Sequence, residues 1–403
     1  MIRQILKGTI SALALMSLSA MAHAQAEKTI KIGVLTDQSS LWSILSGSGS
    51  VAAARMAVQD AGGNAGGFKI EVVAADHQNN PDTGVAIARR WLDQENVDII
   101  VDLPASPVAV AVQGLAKERG KITLVSSGGS KDLTGKYCSP TGAQWVYNTY
   151  ATSNTAARAA TQAGGTSWYF VTVDYTFGHQ LEAVAKAAIA ALGGTVTGST
   201  RHPLNAPDFS TPLLQAAASG AKVLGLATGG GDTANALKQA AEFRIRQNGI
   251  QLVALNVWLN DIHSAGLETA QGIRFVDGWY WDRDDDSRAF AKRFMQSEKY
   301  MPSMTHAGVY SSVAHYLKAV AATSSKDGVT VMKKMREIPV NDLFTKNAHL
   351  REDGQLMHDM LFVEAKSPAD SKYSWDYEKI ISVIPAAEAF GPPDPACALI
   401  KQN

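Results

Sequence analysis

The residues that look most like a phosphate cradle come early in the chain. Gly47-Ser48-Gly49-Ser50-Val51-Ala52 satisfies GxGxxA, a variant of the dinucleotide fingerprint, and Asp76 closes the next apolar run, where a ribose-binding acid would stand. That chemistry needs its glycines at the turn from strand to helix, so that backbone N–H groups can approach a pyrophosphate. Here the first apolar run ends near Leu35 and residues 36–46 intervene. A loop of that length reaches over a cleft. The helix entry behind it keeps free N–H groups that suit an anion.

Asp282-Arg283-Asp284-Asp285-Asp286 has the acidity of a calcium loop, but the positions that need Gly and Glu hold Ser287 and Arg293. It reads as a solvated turn capping the following helix. The nine His are scattered without HExxH or HxH, and the two Cys form no CxxC pair, which argues against a zinc site. His263, beside Asp261, fits a polar ligand contact and a loop hydrogen bond equally well. GxSxG and Walker A are both absent, so neither a hydrolase elbow nor a P-loop is present. No motif speaks for an enzyme, a metal or a cofactor. Aromatic residues stand out instead. Trp42, Tyr175, Phe177, Trp258, Trp279, Tyr280 and Trp281 follow apolar runs or flank a crossover. Singly each packs as readily as it binds; together they make an aromatic-lined cleft.

The elements that must position these residues alternate. Apolar, β-rich runs at 29–35, 69–75, 97–103 and 121–126 are separated by helical stretches at 51–61, 84–94 and 107–119. A second series places strands at 168–173, 195–200, 222–227 and 250–255 among helices at 151–163, 179–192, 212–219 and 233–245. Short buried strands between helices imply parallel sheets covered on both faces. Residues 143–150 (AQWVYNTY) follow neither period and divide the series as an interdomain crossover. The last third is less regular, with helices expected at 287–299, 305–323 and 329–337 and a strand at 361–365. In open α/β sheets ligands sit beyond the carboxyl ends of strands. The loops there (36–49, 104–106, 126–130, 174–178, 228–232 and 256–263) are rich in Ser, Gly and aromatics and poor in Lys and Arg. Such lining suits a small organic ligand.

Length and charge narrow the class. The 403 residues allow two or three domains, and 37 basic residues against 37 acidic leave no basic field for nucleic acid. Residues 1–24 read as a secretory signal: Arg3 and Lys7, an uncharged Ala/Leu/Met-rich run, then Ala22-His23-Ala24, with a second cut site after Ala26. A soluble exported protein is expected. In an oxidising compartment two lone cysteines, Cys138 and Cys397, are expected to pair, two free thiols being the alternative.

Several stretches resemble one family. KIGVLTDQSSLWSILSGSGSVAAARMAVQDAGG, VTVDYTFG, ANALKQAAEF and GVYSSVAHYLKAV are similar to the periplasmic solute-binding proteins of ABC importers, in the Leu/Ile/Val-binding class. SKDLTGKYCSP, WYWD, LREDGQLMHDM and SWDY resemble a subgroup with a Cys near the C-terminus. The resemblance implies an α/β, two-lobed, type I periplasmic-binding fold, each lobe a mainly parallel sheet flanked by helices, with three crossovers at the hinge. Lobe 1 would be 27–145 plus 281–350, lobe 2 146–280 plus 351–385, and 386–403 a tail folded back so that Cys397 reaches Cys138. A small solute would bind between the lobes, without a cofactor, and the closed monomer would dock on a membrane permease. By the same resemblance Ser106, Ser127 and Gly128 would hold a ligand carboxylate, and Phe177 would cover it. Asp261, in the stretch from Trp258, would be an acid facing an ammonium or a structural one. Trp42 and Tyr175 would add aromatic wall. Gly229-Gly230-Gly231 lacks the aromatics amino-acid binders can carry there, leaving room for a bulkier ligand. The expected solute is a small organic acid, aromatic ones included, with an amino acid second. A periplasmic sensor module and an exported α/β enzyme are the alternatives.

Overall fold

The structure is a computed structural model that describes residues 28–400. The export signal expected over 1–24 lies outside those residues. Among them no helix is long and apolar enough to cross a membrane. The chain opens with β1 (Thr29–Thr36), α1 (Gly47–Asp60), β2 (Asn64–Ala65), β3 (Phe68–Asp76), α2 (Pro81–Asp93), β4 (Ile99–Asp102), α3 (Ser106–Glu118), β5 (Ile122–Val125) and β6 (Gly142–Gln144). It continues through α4 (Thr149–Gln162), β7 (Ser167–Val173), α5 (Thr176–Ala191), β8 (Thr195–His202), α6 (Ser210–Ala218), β9 (Val223–Ala227), α7 (Gly231–Glu242), β10 (Gln251–Ala254), α8 (Leu259–Ala265), α9 (Leu267–Ala270) and β11 (Arg274–Asp277). It closes with α10 (Asp285–Glu298), α11 (Met304–Thr323), α12 (Gly328–Glu337), β12 (His349–Leu350), β13 (Leu356–Met357), β14 (Met360–Ala365), β15 (Glu378–Ile384) and α13 (Ala386–Phe390).

Two larger sheets result. The first has the order β2-β3-β1-β4-β5-β6 and the second β15-β14-β11-β10-β9-β7-β8. Pairing is parallel throughout except at β2–β3 and along β11–β14–β15. Every residue of β4, β5 and β9 is buried, as strands covered on both faces require. Burying each Val, Leu or Ile contributes about 1.5–3 kcal/mol. Helix ends follow their sequence signals. Asn80 caps α2 by accepting from the Thr83 N–H at 3.0 Å, with Pro81 behind it. Asp284, in the acidic run, caps α10 by accepting from the Ser287 N–H at 2.8 Å.

After β11 the chain returns to the first lobe. There α10 and α11 pack on α1, and α12 packs on α11; β14 and β15 then complete the second sheet. The connections 145–148, 278–284 and 351–359 therefore cross between lobes. The first and third run together: the Gln144 N–H donates to Gly354 O at 2.9 Å, Asn148 Nδ2 donates to Gln355 Oε1 at 2.8 Å, and His358 Nε2 lies 2.7 Å from Val146 O. The segment 143–150, read as aperiodic, divides into the end of β6, the crossing and the start of α4. The strands β11 and β15 and the helix α8 were not anticipated.

Cys138, between β5 and β6, is bonded to Cys397 in the tail that follows β15, with the Cα atoms 5.6 Å apart. The tail leaves from the second lobe, packs α13 on α4, and ends on the first.

Candidate functional site

The loops beyond the strand ends of the two sheets meet face to face. In the first lobe the loop after β1 is folded by two carboxylates. Asp37 accepts from the Ser39 N–H at 3.3 Å, the Ser40 N–H at 2.9 Å, Ser40 Oγ at 2.5 Å and the Trp42 N–H at 3.0 Å. Asp76, at the end of β3, accepts from the Gln38 N–H at 3.0 Å, Ser39 Oγ at 2.6 Å and the Gln78 N–H at 2.8 Å. These bonds present the Trp42 ring toward the other lobe. They also give Asp76 a task other than holding a ribose. The glycines of the GxGxxA stretch have one too: a Cβ on Gly49 would come within 2.5 Å of Tyr300 Oη and 2.6 Å of His306 Nε2. Close packing of α1 accounts for the motif.

The next two strand ends form a polar edge. Asp102 ends β4, and Ser106 starts α3 with its hydroxyl making no hydrogen bond among the described residues. Ser127 Oγ donates to Asp102 Oδ1. The loop carbonyls are drawn away: Tyr147 Oη donates to Ser127 O at 2.9 Å, Gln144 Nε2 to Gly128 O at 2.9 Å and the Thr149 N–H to Gly129 O at 2.7 Å. The N–H groups of Gly128 and Gly129 make no hydrogen bond among the described residues. Free N–H groups, a hydroxyl and the N-terminus of α3 together suit an anion.

The second lobe supplies rings. Tyr175 precedes α5 and Phe177 lies in its first turn. The Phe177 ring meets Trp42 edge-on, with centroids 5.8 Å apart and planes at 76°. Gly129 makes room for this, since a Cβ there would stand 2.7 Å from Tyr147 Cε2 and 2.9 Å from Phe177 Cε2. Trp258 precedes α8 and meets Tyr147 edge-on at 5.1 Å. Asp261 Oδ2 accepts from the Trp258 N–H at 3.0 Å, bonding back to the start of its own helix. Burial pushes its carboxyl well above the usual range.

The lobes are in contact. Tyr175 Oη donates to Asn79 Oδ1 at 3.3 Å, Gln180 Nε2 to Asp132 Oδ2 at 3.0 Å and Asn260 Nδ2 to Met301 O at 3.2 Å, each across the interface. The structure thus brings Trp42, Phe177, Ser127, Gly128 and Trp258 to one buried interface. It sets Tyr175 at the edge, half-buried, as a latch between lobes. One expectation is corrected. The space beside Gly229-Gly230-Gly231, expected to be room for ligand, is filled by Trp42, whose Cζ3 would lie 2.9 Å from a Cβ on Gly229. His263 stands apart, stacked on Trp375 with centroids 3.8 Å apart and bonded to Tyr377 Oη at 2.8 Å, as a loop hydrogen-bonder would be.

Sequence reading missed Asp37, Asp102, Tyr147, Thr228 and Asn256. Thr228 and Asn256 follow β9 and β10 and are buried, and the Thr228 hydroxyl and both polar atoms of the Asn256 side chain have no partner among the described residues. The indole Nε1 atoms of Trp42 and Trp258 are likewise buried and unpartnered. Position directly after a strand was the signal for Thr228 and Asn256. Orphaned buried donors and acceptors are costly unless something else satisfies them.

Comparison with known proteins identifies the family and the fold. A profile of the family described as "Periplasmic binding protein" matches residues 29–372. A periplasmic binding protein from Burkholderia mallei is 42% identical, with 93% of this chain and 100% of that one covered and a TM-score of 0.90. A branched chain amino acid ABC transporter periplasmic ligand-binding protein from Burkholderia xenovorans is 37% identical, with 90% and 97% covered and a TM-score of 0.83. Leu/Ile/Val-binding protein homolog 6 from Brucella melitensis is 27% identical over 86% of this chain and 92% of its own length.

Proposed function

The chain belongs to the periplasmic binding protein family, and from that premise we propose that it is the solute receptor of an ABC importer, closing on a small organic acid and delivering it to a membrane permease. The observation that carries this reading is the apposition of two surfaces: free N–H groups at Gly128 and Gly129 with the Ser106 hydroxyl on one lobe, and the rings of Phe177 and Trp258 on the other. The polar edge matches a carboxylate, and the rings match an apolar or aromatic body. Trp42, Ser127, Tyr175 and Asp261 complete the proposed lining. The moving bodies are the lobes bounded above, and a ligand favours closure by binding the closed form better than the open one. The protein acts as a monomer and binds without turnover.

An amino acid is the second reading, favoured by the likeness to the Burkholderia xenovorans protein. Against it stands Asp261, which bonds to its own helix start and is biased toward the neutral acid, a poor partner for an ammonium.

A thermal-shift screen of the mature protein tests the proposal. The panel holds aliphatic and aromatic amino acids, aromatic and short-chain carboxylates, amides, NAD and divalent metals. A native-state ligand at a hundredfold excess over Kd adds about 2.7 kcal/mol. We expect shifts with carboxylates, strongest for aromatic ones. Shifts confined to NAD or a metal, or turnover of a bound compound, would overturn it.

A further inference from the structure

Asp102 occupies a place that the ligand scheme above does not use. It is fully buried at the end of β4, with φ +82°, and Leu103 follows at φ +56°. Two successive non-glycine residues in the left-handed region are unfavourable, and such backbone persists where the surrounding structure enforces it, often at binding sites. Here the turn brings Asp102 under the Ser127 loop. Its carbonyl accepts from the N–H groups of Ser126 at 3.1 Å and Ser127 at 3.3 Å, and its Oδ1 accepts from Ser127 Oγ. Its second carboxyl oxygen is buried with the Thr36 and Ser50 hydroxyls as its polar neighbours, and none of the three makes a well-formed hydrogen bond among the described residues.

We propose that Asp102 decides whether Ser127 meets a ligand as a hydrogen-bond donor or only as an acceptor, and thereby couples capture of a carboxylate to uptake of one proton. This rests on the organic-acid reading. A serine hydroxyl has one proton. While Asp102 is ionised, Ser127 gives that proton to it, and only lone pairs face an incoming carboxylate, with a second negative charge behind them. Once Asp102 is protonated, its own O–H donates to Ser127 Oγ. The Ser127 proton is then free to bond the ligand, and the repelling charge is gone.

The surroundings favour such a proton. Burial is the main influence and pushes the carboxyl up to about 6. The ionised neighbour Asp37 pushes the same way, whereas the hydroxyls of Ser127, Thr36 and Ser50 oppose it. No lysine or arginine is among the main influences on the group. Tyr147, near both Asp102 and Asp261, is held as a phenol by burial and those carboxyls. On α11, which packs against β4, the His306 ring is engaged with Ser303 and Ser46. His77, buried near Asp37 and Asp76, is held toward the neutral imidazole by burial.

The experiment is calorimetry on the mature protein with benzoate, 4-hydroxybenzoate and L-leucine as carboxylate probes. It is run between pH 5 and 8 in buffers of differing ionisation enthalpy. The wild type should take up close to one proton per carboxylate above pH 6, and its affinity should fall about tenfold per pH unit there. Asp102→Asn places a permanent donor against Ser127 and should bind with the wild type's low-pH affinity at every pH. Proton counting on the wild type keeps the test decisive if that variant fails to fold. Binding without proton uptake, or an Asp102→Asn variant with an unchanged pH profile, overturns the coupling and spares the organic-acid reading. No binding of any probe at any pH overturns both.

Discussion

The indole of Trp42, carried by the first lobe, lies against the backbone of Gly229 in the second, so that a Cβ on Gly229 would stand 2.9 Å from Cζ3. The contact exists only when the lobes are together. It makes Gly229 a test of closure. Gly229→Val should disfavour the closed form by about 1–3 kcal/mol, the usual range for overpacking. The expected result is an affinity loss of roughly 5- to 150-fold with little change in ligand-free Tm. Calorimetry and small-angle scattering with ligand measure both. Wild-type affinity in the variant would mean that Trp42 does not occupy this notch in the bound state.

Trp42→Ala and Phe177→Ala should each weaken binding while leaving the protein folded. Loss of their edge-on contact removes about 0.5–1.5 kcal/mol beyond lost burial. Circular dichroism and titration calorimetry on both variants check this. If both bind as the wild type does, the proposed lining is wrong.

The bond between Cys138 and Cys397 spans 259 residues of sequence. Loss of a native disulfide typically costs about 2–5 kcal/mol. Cys138→Ser with Cys397→Ser should lower Tm relative to the oxidised wild type. Titration of the unreduced, denatured wild type should find no free thiol.

Two buried histidines act against stability on the acid side. Burial lowers His306 to about 3 and His358 to about 4, both below the usual 6.5. Below pH 6.5 the unfolded chain binds protons that these folded rings refuse. Stability therefore falls as pH drops, by about 1.4 kcal/mol per unit for each ring until its folded value is reached. Asp102, raised to about 6, acts oppositely and over a narrower window, gaining stability as pH falls from 6 toward 4. Asp232, raised to about 6, and Asp277, raised to about 7, act in the same sense as Asp102. Urea unfolding from pH 7 to 4.5 should therefore show His306→Gln becoming more stable relative to the wild type as pH falls. An unchanged slope in that variant would remove His306 from the account.

The sequence and the structure part company in instructive places. The parallel strands β1, β4, β7 and β9 were legible because they are predominantly apolar and bounded by helices. By contrast β6 is three residues long, and β15 exposes most of its side chains at a sheet edge, so neither carries a buried-strand signal. The strand-end loops were legible as a class, and the fold brings Trp42, Ser127, Phe177 and Trp258 to one interface between the lobes. Asp37 and Asp102 were not, because an acid after a strand is ordinary in sequence. Their roles arise from which N–H groups and hydroxyls the fold brings to them. Gly229 was read as vacancy because nothing local says that a tryptophan from the other lobe will fill it.

The tail bond also alters what a protease can achieve. The two cysteines enclose the whole second lobe, helices α10 to α12 of the first and all three crossings in one covalent ring. A single cut of the backbone anywhere between them, even through a hinge strand, leaves the fragments joined. The protein can be nicked once in an exposed loop and still keep both jaws on one molecule.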